Sequence, residues 1–119
     1  MKVTTFRELK VWQKAHELVL EVYKITKNFP KEERFGLVSQ IRRSASSIAT
    51  NIVEGNKRKS RKEYLYFLNI ADSSLEETKY HILLSKDLGY IDDKEFNNLT
   101  GMSDEVGKML FGLQRSLTT

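Results

Sequence analysis

The sequence predicts an all-α protein, an antiparallel up-and-down four-helix bundle formed by one domain over residues 1–119. Three observations support this fold class. Apolar residues recur every three or four positions in four segments, which is the period of an amphipathic helix. The connections between these segments are short, about four to six residues, as between antiparallel neighbours in a bundle. No stretch shows the period-two alternation that is typical of a strand.

The first predicted helix opens with the sequence Thr5-Phe6-Arg7-Glu8, a capping box in which the Thr5 hydroxyl would accept from the Glu8 amide. Pro30 is expected to end it, because proline disfavours helical geometry in the residue before it. The apolar stripe between these ends comprises Leu9, Trp12, Ala15, Leu18, Val19, Val22, Ile25 and Phe29.

The second predicted helix follows a turn over residues 31–36. Gly55 is expected to be its C-cap residue, since glycine adopts the left-handed conformation that ends many helices. The apolar face comprises Leu37, Ile41, Ala45, Ile48 and Ile52.

The third predicted helix begins with a second capping box, in which Ser60 is followed by Glu63, and ends at Gly89. Its core-facing residues are Tyr64, Phe67, Leu68, Ala71, Leu75, Thr78 and Ile82.

The fourth predicted helix has Asp92 as its N-cap residue and Glu95 three positions later. Glycine lowers helix stability by up to ~1 kcal/mol relative to alanine, and three glycines occur here, so Gly101 is where a kink is most expected. The apolar face comprises Phe96, Leu99, Val106, Leu110, Leu113 and Leu117.

The composition, with 39% hydrophobic and 30% charged residues, is that of a globular protein. The chain has no cysteine, which excludes disulfides, thiolate metal sites and cysteine nucleophiles. No apolar stretch reaches the ~18 residues of a membrane span, and no secretory signal precedes the first helix. We therefore expect a cytoplasmic protein without a membrane partner.

The candidate chemical groups predict neither an enzyme nor a cofactor. Di-metal sites in helical bundles need Glu-x-x-His pairs, but His81 follows Glu77 by four positions and Gln13 stands three before His16. No histidine is near the serines in sequence, and no nucleophile elbow or glycine-rich phosphate loop occurs. We expect no catalytic residues and no metal.

Charge is distributed unevenly along the chain. Residues 42–62 carry seven basic side chains and one acid, whereas residues 72–106 carry nine acids and three lysines. Clustered lysines and arginines can bind the phosphates of RNA or DNA, although cations at the start of the third helix oppose its macrodipole. A solvated turn that aids solubility is the alternative. The candidate nucleic-acid-binding residues are Arg42, Arg43, Lys57, Arg58, Lys59, Arg61 and Lys62.

The third predicted helix is more apolar than one core-facing stripe requires. The run Tyr-Leu-Tyr-Phe-Leu over residues 64–68 points in all directions around the axis, and residues 82–84 repeat this pattern. Such a helix is buried on more than one side or exposes an interface. We predict self-association through Leu65, Tyr66 and Leu83, with isolated exposed apolar residues as the alternative.

Three segments match a known family: FRELKVWQKA at residues 6–15, FPKEERFGL at residues 29–37 and SIATNIVEG at residues 47–55. They resemble the bacterial four-helix-bundle proteins encoded in 23S ribosomal RNA intervening sequences. The third segment is the most specific, because it fits the family pattern S-I-x-x-N-I-x-E-G. Shorter matches at residues 74–77, 88–91 and 108–113 extend the resemblance over nearly the whole chain.

The resemblance implies a ring of five subunits without enzymatic activity. The family is similar to the accessory variability determinant of diversity-generating retroelements, a basic ring that associates with nucleic acid and a reverse transcriptase. We therefore expect a homo-oligomer, with RNA or DNA as a further partner. The alternative is an adaptor ring that binds a protein and has no direct nucleic-acid role.

The motif residues Asn51, Glu54 and Gly55 lie near the end of the second predicted helix. Asn51 and Glu54 are three positions apart and so share a face. They could hydrogen-bond the adjacent turn or a neighbouring helix, or they could bind a partner. We favour the structural interpretation.

Overall fold

The computed structural model describes residues 5–118, and it confirms the all-α four-helix bundle. The four helices are α1 (Lys10–Thr26), α2 (Leu37–Lys57), α3 (Arg61–Asp87) and α4 (Asp93–Thr118). Short 3-10 helices, Phe6–Glu8 and Lys31–Glu33, precede α1 and α2. Residues 1–4 and residue 119 of the predicted domain lie outside the described residues.

The helices form a rod of 45 × 24 × 20 Å in which each helix packs against two neighbours. The α2–α3 pair has the most extensive packing. One shared core runs along the axis, and Leu18, Ile48, Leu75 and Val106 contribute to it from the four helices in turn. Among the helices within residues 5–118, none is both long enough and apolar enough to cross a membrane.

The start of the first helix differs from the prediction. The Thr5 hydroxyl accepts from the Arg7 amide at 3.3 Å, and the Glu8 amide donates to the Thr5 carbonyl. These bonds form a 3-10 turn, in which amides bond three residues back. The predicted capping box is therefore wrong at this end, and α1 begins at Lys10.

The end of the first helix was also predicted too late. α1 ends at Thr26, so residues 27–36 make a longer connection than expected. Phe29 leaves the helix and is buried, with its ring 5.2 Å from that of Tyr90. This tertiary contact draws the chain inward before Pro30 is reached.

The two later N-caps are confirmed, and the second of them forms both bonds of a capping box. The Ser60 hydroxyl accepts from the Glu63 amide at 3.1 Å and caps α3. At α4, the Asp92 carboxylate accepts from the Glu95 amide at 2.7 Å, and the Glu95 carboxylate accepts from the Asp92 amide at 3.0 Å. Both amides that face these caps are thus satisfied, as the sequence pattern requires.

Gly89 ends α3 as predicted. Its φ of 80° is the left-handed conformation that glycine adopts without strain. The Gly89 amide donates to the Lys86 carbonyl and the Tyr90 amide to the Ser85 carbonyl, the two bonds of a Schellman motif.

The prediction for Gly55 was wrong, whereas the kink expected near Gly101 stays a prediction. Gly55 lies inside α2 and is not its C-cap, because the helix continues to Lys57. Gly101 does not interrupt α4, which runs as one helix from residue 93 to residue 118. Each glycine is held within a helix whose apolar face packs on the core, and this packing outweighs the low helix propensity.

Candidate nucleic-acid interface

The connection between α2 and α3 carries the densest group of cations, which we name the basic turn. It consists of Lys57, Arg58, Lys59, Arg61 and Lys62. Lys57 is the last residue of α2, and Arg61 opens α3, so two antiparallel helix ends hold the group at one end of the rod. All five side chains are exposed.

The cations of the basic turn differ in how they are held. The Arg58 guanidinium lies 3.3 Å from the Glu54 carboxylate and 4.6 Å from the centre of the Phe67 ring, so it is partly fixed. Within the described residues, no carboxylate forms an ion pair with Lys57, Lys59 or Lys62. These three ammonium groups are available to an anion.

Arg42 and Arg43 are not part of the basic turn. They precede Lys57 by 15 and 14 residues on the same helix, a distance of about 21–22 Å at 1.5 Å per residue. Arg42 is half-buried and joins α2 to α1, since its Nε donates to the Thr26 hydroxyl at 2.9 Å. Its guanidinium also lies 4.5 Å from the centre of the Tyr23 ring. Arg43 is exposed.

A groove between α1 and α2 contains both arginines. One part of it, which we name the arginine end, has a volume of about 400 Å³. Phe35 is 88% exposed there, and the Arg34 guanidinium lies 5.5 Å from the centre of its ring. The residues that line the arginine end are Tyr23, Arg34, Phe35, Val38, Ser39, Arg42, Arg43 and Ser46.

The second part of the groove, the tryptophan end, has a volume of about 270 Å³ and shares Ser46 with the arginine end. Trp12 and His16 stack there with ring centres 4.9 Å apart and planes 8° apart. The edge of Phe6 meets the Trp12 ring, also at 4.9 Å. The lining residues are Phe6, Trp12, His16, Val19, Ser46, Ala49, Thr50 and Val53.

The groove between α3 and α4 has a different charge. It is lined by two acids and two lysines, together with Phe111 and two other residues. By contrast, none of the residues that line the two ends of the α1–α2 groove is acidic. Asp72 and Asp104 are the acids of the α3–α4 groove, whereas Glu105 of α4 lies beside α1, with its carboxylate 3.7 Å from Lys14 Nζ.

The sequence motif lies against α3. The Asn51 side chain donates to the Ser47 carbonyl at 2.8 Å and to the Ser47 hydroxyl at 3.1 Å, and the Ser74 hydroxyl of α3 also donates to the Ser47 hydroxyl at 2.9 Å. A Cβ added to Gly55 would meet the Tyr64 ring at 2.9 Å. Asn51 thus bonds within α2 and is linked to α3 only through Ser47, whereas Gly55 packs directly against α3. Glu54 is exposed and pairs with Arg58.

The predicted interface residues lie along α3. Tyr66 and Leu83 are 62% and 44% exposed, and Leu65 is half-buried. Tyr80 is also exposed, so α3 presents three large exposed apolar side chains, which we name the apolar ridge. The exposed polar residues Asn69, Ser73, Glu76 and Glu77 lie between Tyr66 and Tyr80. Whether another chain covers this ridge remains a prediction.

Helix packing brings together a serine and a histidine that are distant in sequence. The Ser44 hydroxyl of α2 and His81 Nδ1 of α3 lie 3.3 Å apart, and His81 Nε2 is 3.8 Å from the Glu77 carboxylate. These are the groups of a catalytic triad, but Ser44 is only 3% exposed. Its hydroxyl donates to the Ile41 carbonyl at 3.2 Å and accepts from Thr78 at 2.9 Å. A substrate cannot reach it, so the cluster is a buried polar network.

Burial also changes the acid–base behaviour of this network. Desolvation lowers the pKa of His81, and the nearby Glu77 carboxylate partly opposes the shift.

His16, the other histidine, stacks on Trp12 in the α1–α2 groove. Across residues 5–118, no three histidine, aspartate or glutamate side chains converge in a way that could hold a metal ion.

Comparison with known proteins identifies a family and similar solved structures. A family model described as 23S rRNA-intervening sequence protein matches residues 7–112. A crystal structure of a protein of unknown function from the S23 ribosomal protein family of Bacteroides thetaiotaomicron VPI-5482 is 29% identical to this chain, with a TM-score of 0.82. The match covers 88% of this chain and 95% of that protein. Comparison with curated proteins gave no match.

Proposed function

Because the chain belongs to the 23S rRNA-intervening sequence protein family, we propose that it acts by binding and not by catalysis. In this proposal it is a homo-oligomer, a ring of five subunits, that associates with RNA or DNA through the basic turn. The proposal is carried by one observation: five exposed cations share one turn, and within residues 5–118 no carboxylate forms an ion pair with Lys57, Lys59 or Lys62.

The physical argument is electrostatic. Each cation that contacts a phosphate releases condensed counterions, so affinity depends steeply on salt and little on base sequence. The basic turn holds its cations between two helix ends, which limits the conformational freedom lost on binding. The acids of the chain lie mainly on α3 and α4. They therefore disfavour binding of a polyanion along those two helices.

The first test replaces Lys57, Lys59 and Lys62 with glutamine. Arg58 is kept because its guanidinium packs on Phe67. Binding of a fluorescently labelled single-stranded RNA is measured by anisotropy at several salt concentrations. We expect weaker binding and a salt slope that is smaller by about 2, since each lost contact to a single strand removes ~0.7.

The matched control replaces Lys94, Lys108 and Arg115 with glutamine. These exposed residues of α4 carry the same total charge but lie outside the basic turn. If both triple variants bind RNA equally well, the basic turn is not the binding surface.

The adaptor alternative is favoured by the exposed apolar ridge of α3. Tyr66, Tyr80 and Leu83 offer a surface that a protein partner could cover. In that case the protein copurifies with a defined partner, and binding to RNA and DNA is absent or does not depend on salt. The same anisotropy titration with the unmodified protein separates the two functions.

A further inference from the structure

We propose that the α1–α2 groove holds single-stranded nucleic acid, with bases stacked on its aromatic rings and phosphates bound by its arginines. This inference rests on the proposed nucleic-acid function and extends it to a second surface and a class of ligand. The basic turn alone predicts no preference between single strands and duplexes.

Phe35 is the first observation. It is the most exposed of the large hydrophobic residues described, at 88%, although burial of a phenylalanine is strongly favourable. Neither the core nor a neighbouring side chain covers the ring, apart from the Arg34 guanidinium at 5.5 Å. An exposed aromatic ring beside a guanidinium is the usual platform for an unpaired base.

The charge of the groove is the second observation. Arg34, Arg42 and Arg43 line the arginine end, and no acid lines either end. Arg42 is held by Thr26 and Tyr23, so its guanidinium is already fixed in the wall of the arginine end before a ligand arrives. Arginine is suited to this role because its planar fork binds phosphate and also stacks on rings.

The continuity of the groove is the third observation. The two ends meet at Ser46, and the tryptophan end extends to Val53, which precedes Lys57 by four residues, about 6 Å along α2. A single strand in the groove would therefore pass Phe35 and the Trp12–His16 stack and leave next to the basic turn. Alternating aromatic rings and cations along one path are what sequence-tolerant single-strand binding requires.

These observations favour a single strand over other polyanions. In a duplex the bases are paired and stacked on one another, so their faces are not available to stack on Phe35 or Trp12. An acidic protein segment would use the arginines but would gain nothing specific from Phe35 or from the Trp12–His16 stack.

The chain contains a built-in reporter, because Trp12 is its only tryptophan. The experiment titrates the full protein at low salt with an oligouridylate of about 12 nucleotides, within the ~4–16 that single-strand-binding folds cover. The same oligouridylate paired with oligoadenylate serves as the duplex. We expect the single strand to quench Trp12 fluorescence and the duplex to quench it much less.

Two matched double variants identify the surface. One combines Arg34→Gln with Phe35→Ala. The other combines Arg115→Gln with Phe111→Ala, a second exposed arginine–phenylalanine pair, 6.0 Å apart, on α4. We expect only the first to lose affinity for the single strand, by about 5- to 150-fold, the equivalent of ~1–3 kcal/mol per stacked base. Phe35 is exposed, so its loss should leave folding intact, which circular dichroism checks.

Three outcomes would overturn the inference in different ways. If anisotropy shows binding while Trp12 is not quenched and both double variants bind equally, the groove is not used, and the proposed function stands on the basic turn. If neither oligonucleotide binds at low salt, the proposed function fails as well. If the Arg34/Phe35 variant changes only the mass measured by light scattering, the groove is an interface between copies of the chain.

Discussion

His81 is buried in the polar network between α2 and α3, where its neutral form is favoured. Desolvation lowers its pKa below the usual 6.5, while the Glu77 carboxylate, which could stabilise the charged form, is exposed and 3.8 Å away. The Ser44 hydroxyl near Nδ1 is itself enclosed by α2 and α3. Protonation of His81 therefore places a charge where little water can solvate it.

This burial predicts a pH-dependent stability. Between pH 6.5 and the lower pKa of the folded state, the unfolded chain binds more protons at His81 than the folded chain does. The free energy of unfolding therefore falls as the pH falls through this window, and the effect levels off below it. Urea denaturation at several pH values should show this loss, and His81→Gln should reduce it.

Glu33 titrates in a separate range and should not obscure this effect. A hydrogen bond from the Tyr90 hydroxyl at 2.8 Å and one from the Leu37 amide lower its pKa below 4.5. Its contribution to stability is thus lost only at more acidic pH. Equal pH dependence of the unmodified protein and the His81→Gln variant above pH 5 would show that His81 is not the responsible group.

For single residues, the sequence predicts contacts between positions that are close along the chain, but not contacts between positions that are far apart along it. The caps at Ser60 and Asp92 were predictable because both partners lie within four residues. The contact between Ser44 and His81 spans 37 residues and depends on the register between two helices, which no local pattern contains. Phe35 was missed for a related reason, because an apolar residue in a turn gives no sign of whether the fold buries it.

Gly55 determines how closely α2 approaches α3. An added Cβ would lie 2.9 Å from the Tyr64 ring and 3.1 Å from Phe67 Cβ, and the second atom cannot move without its helix. Gly55→Ala gains up to ~1 kcal/mol of helix propensity but should lose ~1–3 kcal/mol to overpacking. We expect net destabilisation of about 1 kcal/mol, measured by urea denaturation.

Gly101→Ala is the matched control for that prediction. Gly101 also lies inside a helix, but no atom lies within 4 Å of an added Cβ. The alanine should therefore stabilise the protein by up to ~1 kcal/mol. If both alanine variants raise the stability, Gly55 does not limit the approach of the two helices.

The bodies of the helices were predictable because apolar residues repeat with the helical period, and the predicted faces form the core except at Phe67. Phe67 lies outside the core, next to the Arg58 guanidinium. The ends of α1 were not. At Thr5 a 3-10 turn replaces the expected cap, and at Phe29 a contact with Tyr90 ends the helix early. Local propensity decides a helix end only where tertiary packing does not compete for the same residues.

In the folded chain, the side chains of the apolar ridge on α3 are exposed to solvent. Tyr66 and Leu83 are 17 residues apart, about 25 Å along α3, and exposed polar residues lie between them. Burial of these side chains at an interface would be favourable by ~25 cal/mol per Å² of apolar surface. Two of the three predicted interface residues are suited to a test, since Leu65 is half-buried and its loss would also affect folding.

Replacement of Tyr66 and Leu83 with serine should therefore dissociate the oligomer. Light scattering should give the unmodified protein a mass several times the 13.9 kDa of one chain and should give the variant a mass close to 13.9 kDa. Phe111→Ser, an exposed apolar residue on α4, is the control and should leave the mass unchanged. An unmodified protein of 13.9 kDa would contradict the assembly itself.

The distribution of charge was predictable along the chain but not in space. The composition of residues 42–62 suggested one basic patch, whereas the helix separates Arg42 and Arg43 from the basic turn. The acid-free groove that joins these two groups is made by α1 as much as by α2. The four-residue spacing of Trp12 and His16 predicts that they are neighbours on α1, but it does not predict the groove beside them.

α2 connects the arginine end of the groove to the basic turn as an unbroken helix of 21 residues. At 1.5 Å per residue it is a strut about 31 Å long. A flexible linker between two binding surfaces would let their separation vary, whereas a continuous helix keeps it constant. In the proposed interface, α2 therefore fixes the distance between the two binding surfaces. An oligonucleotide too short to span that distance binds at one end of α2 only, so it lacks the gain in effective concentration that binding at both ends provides.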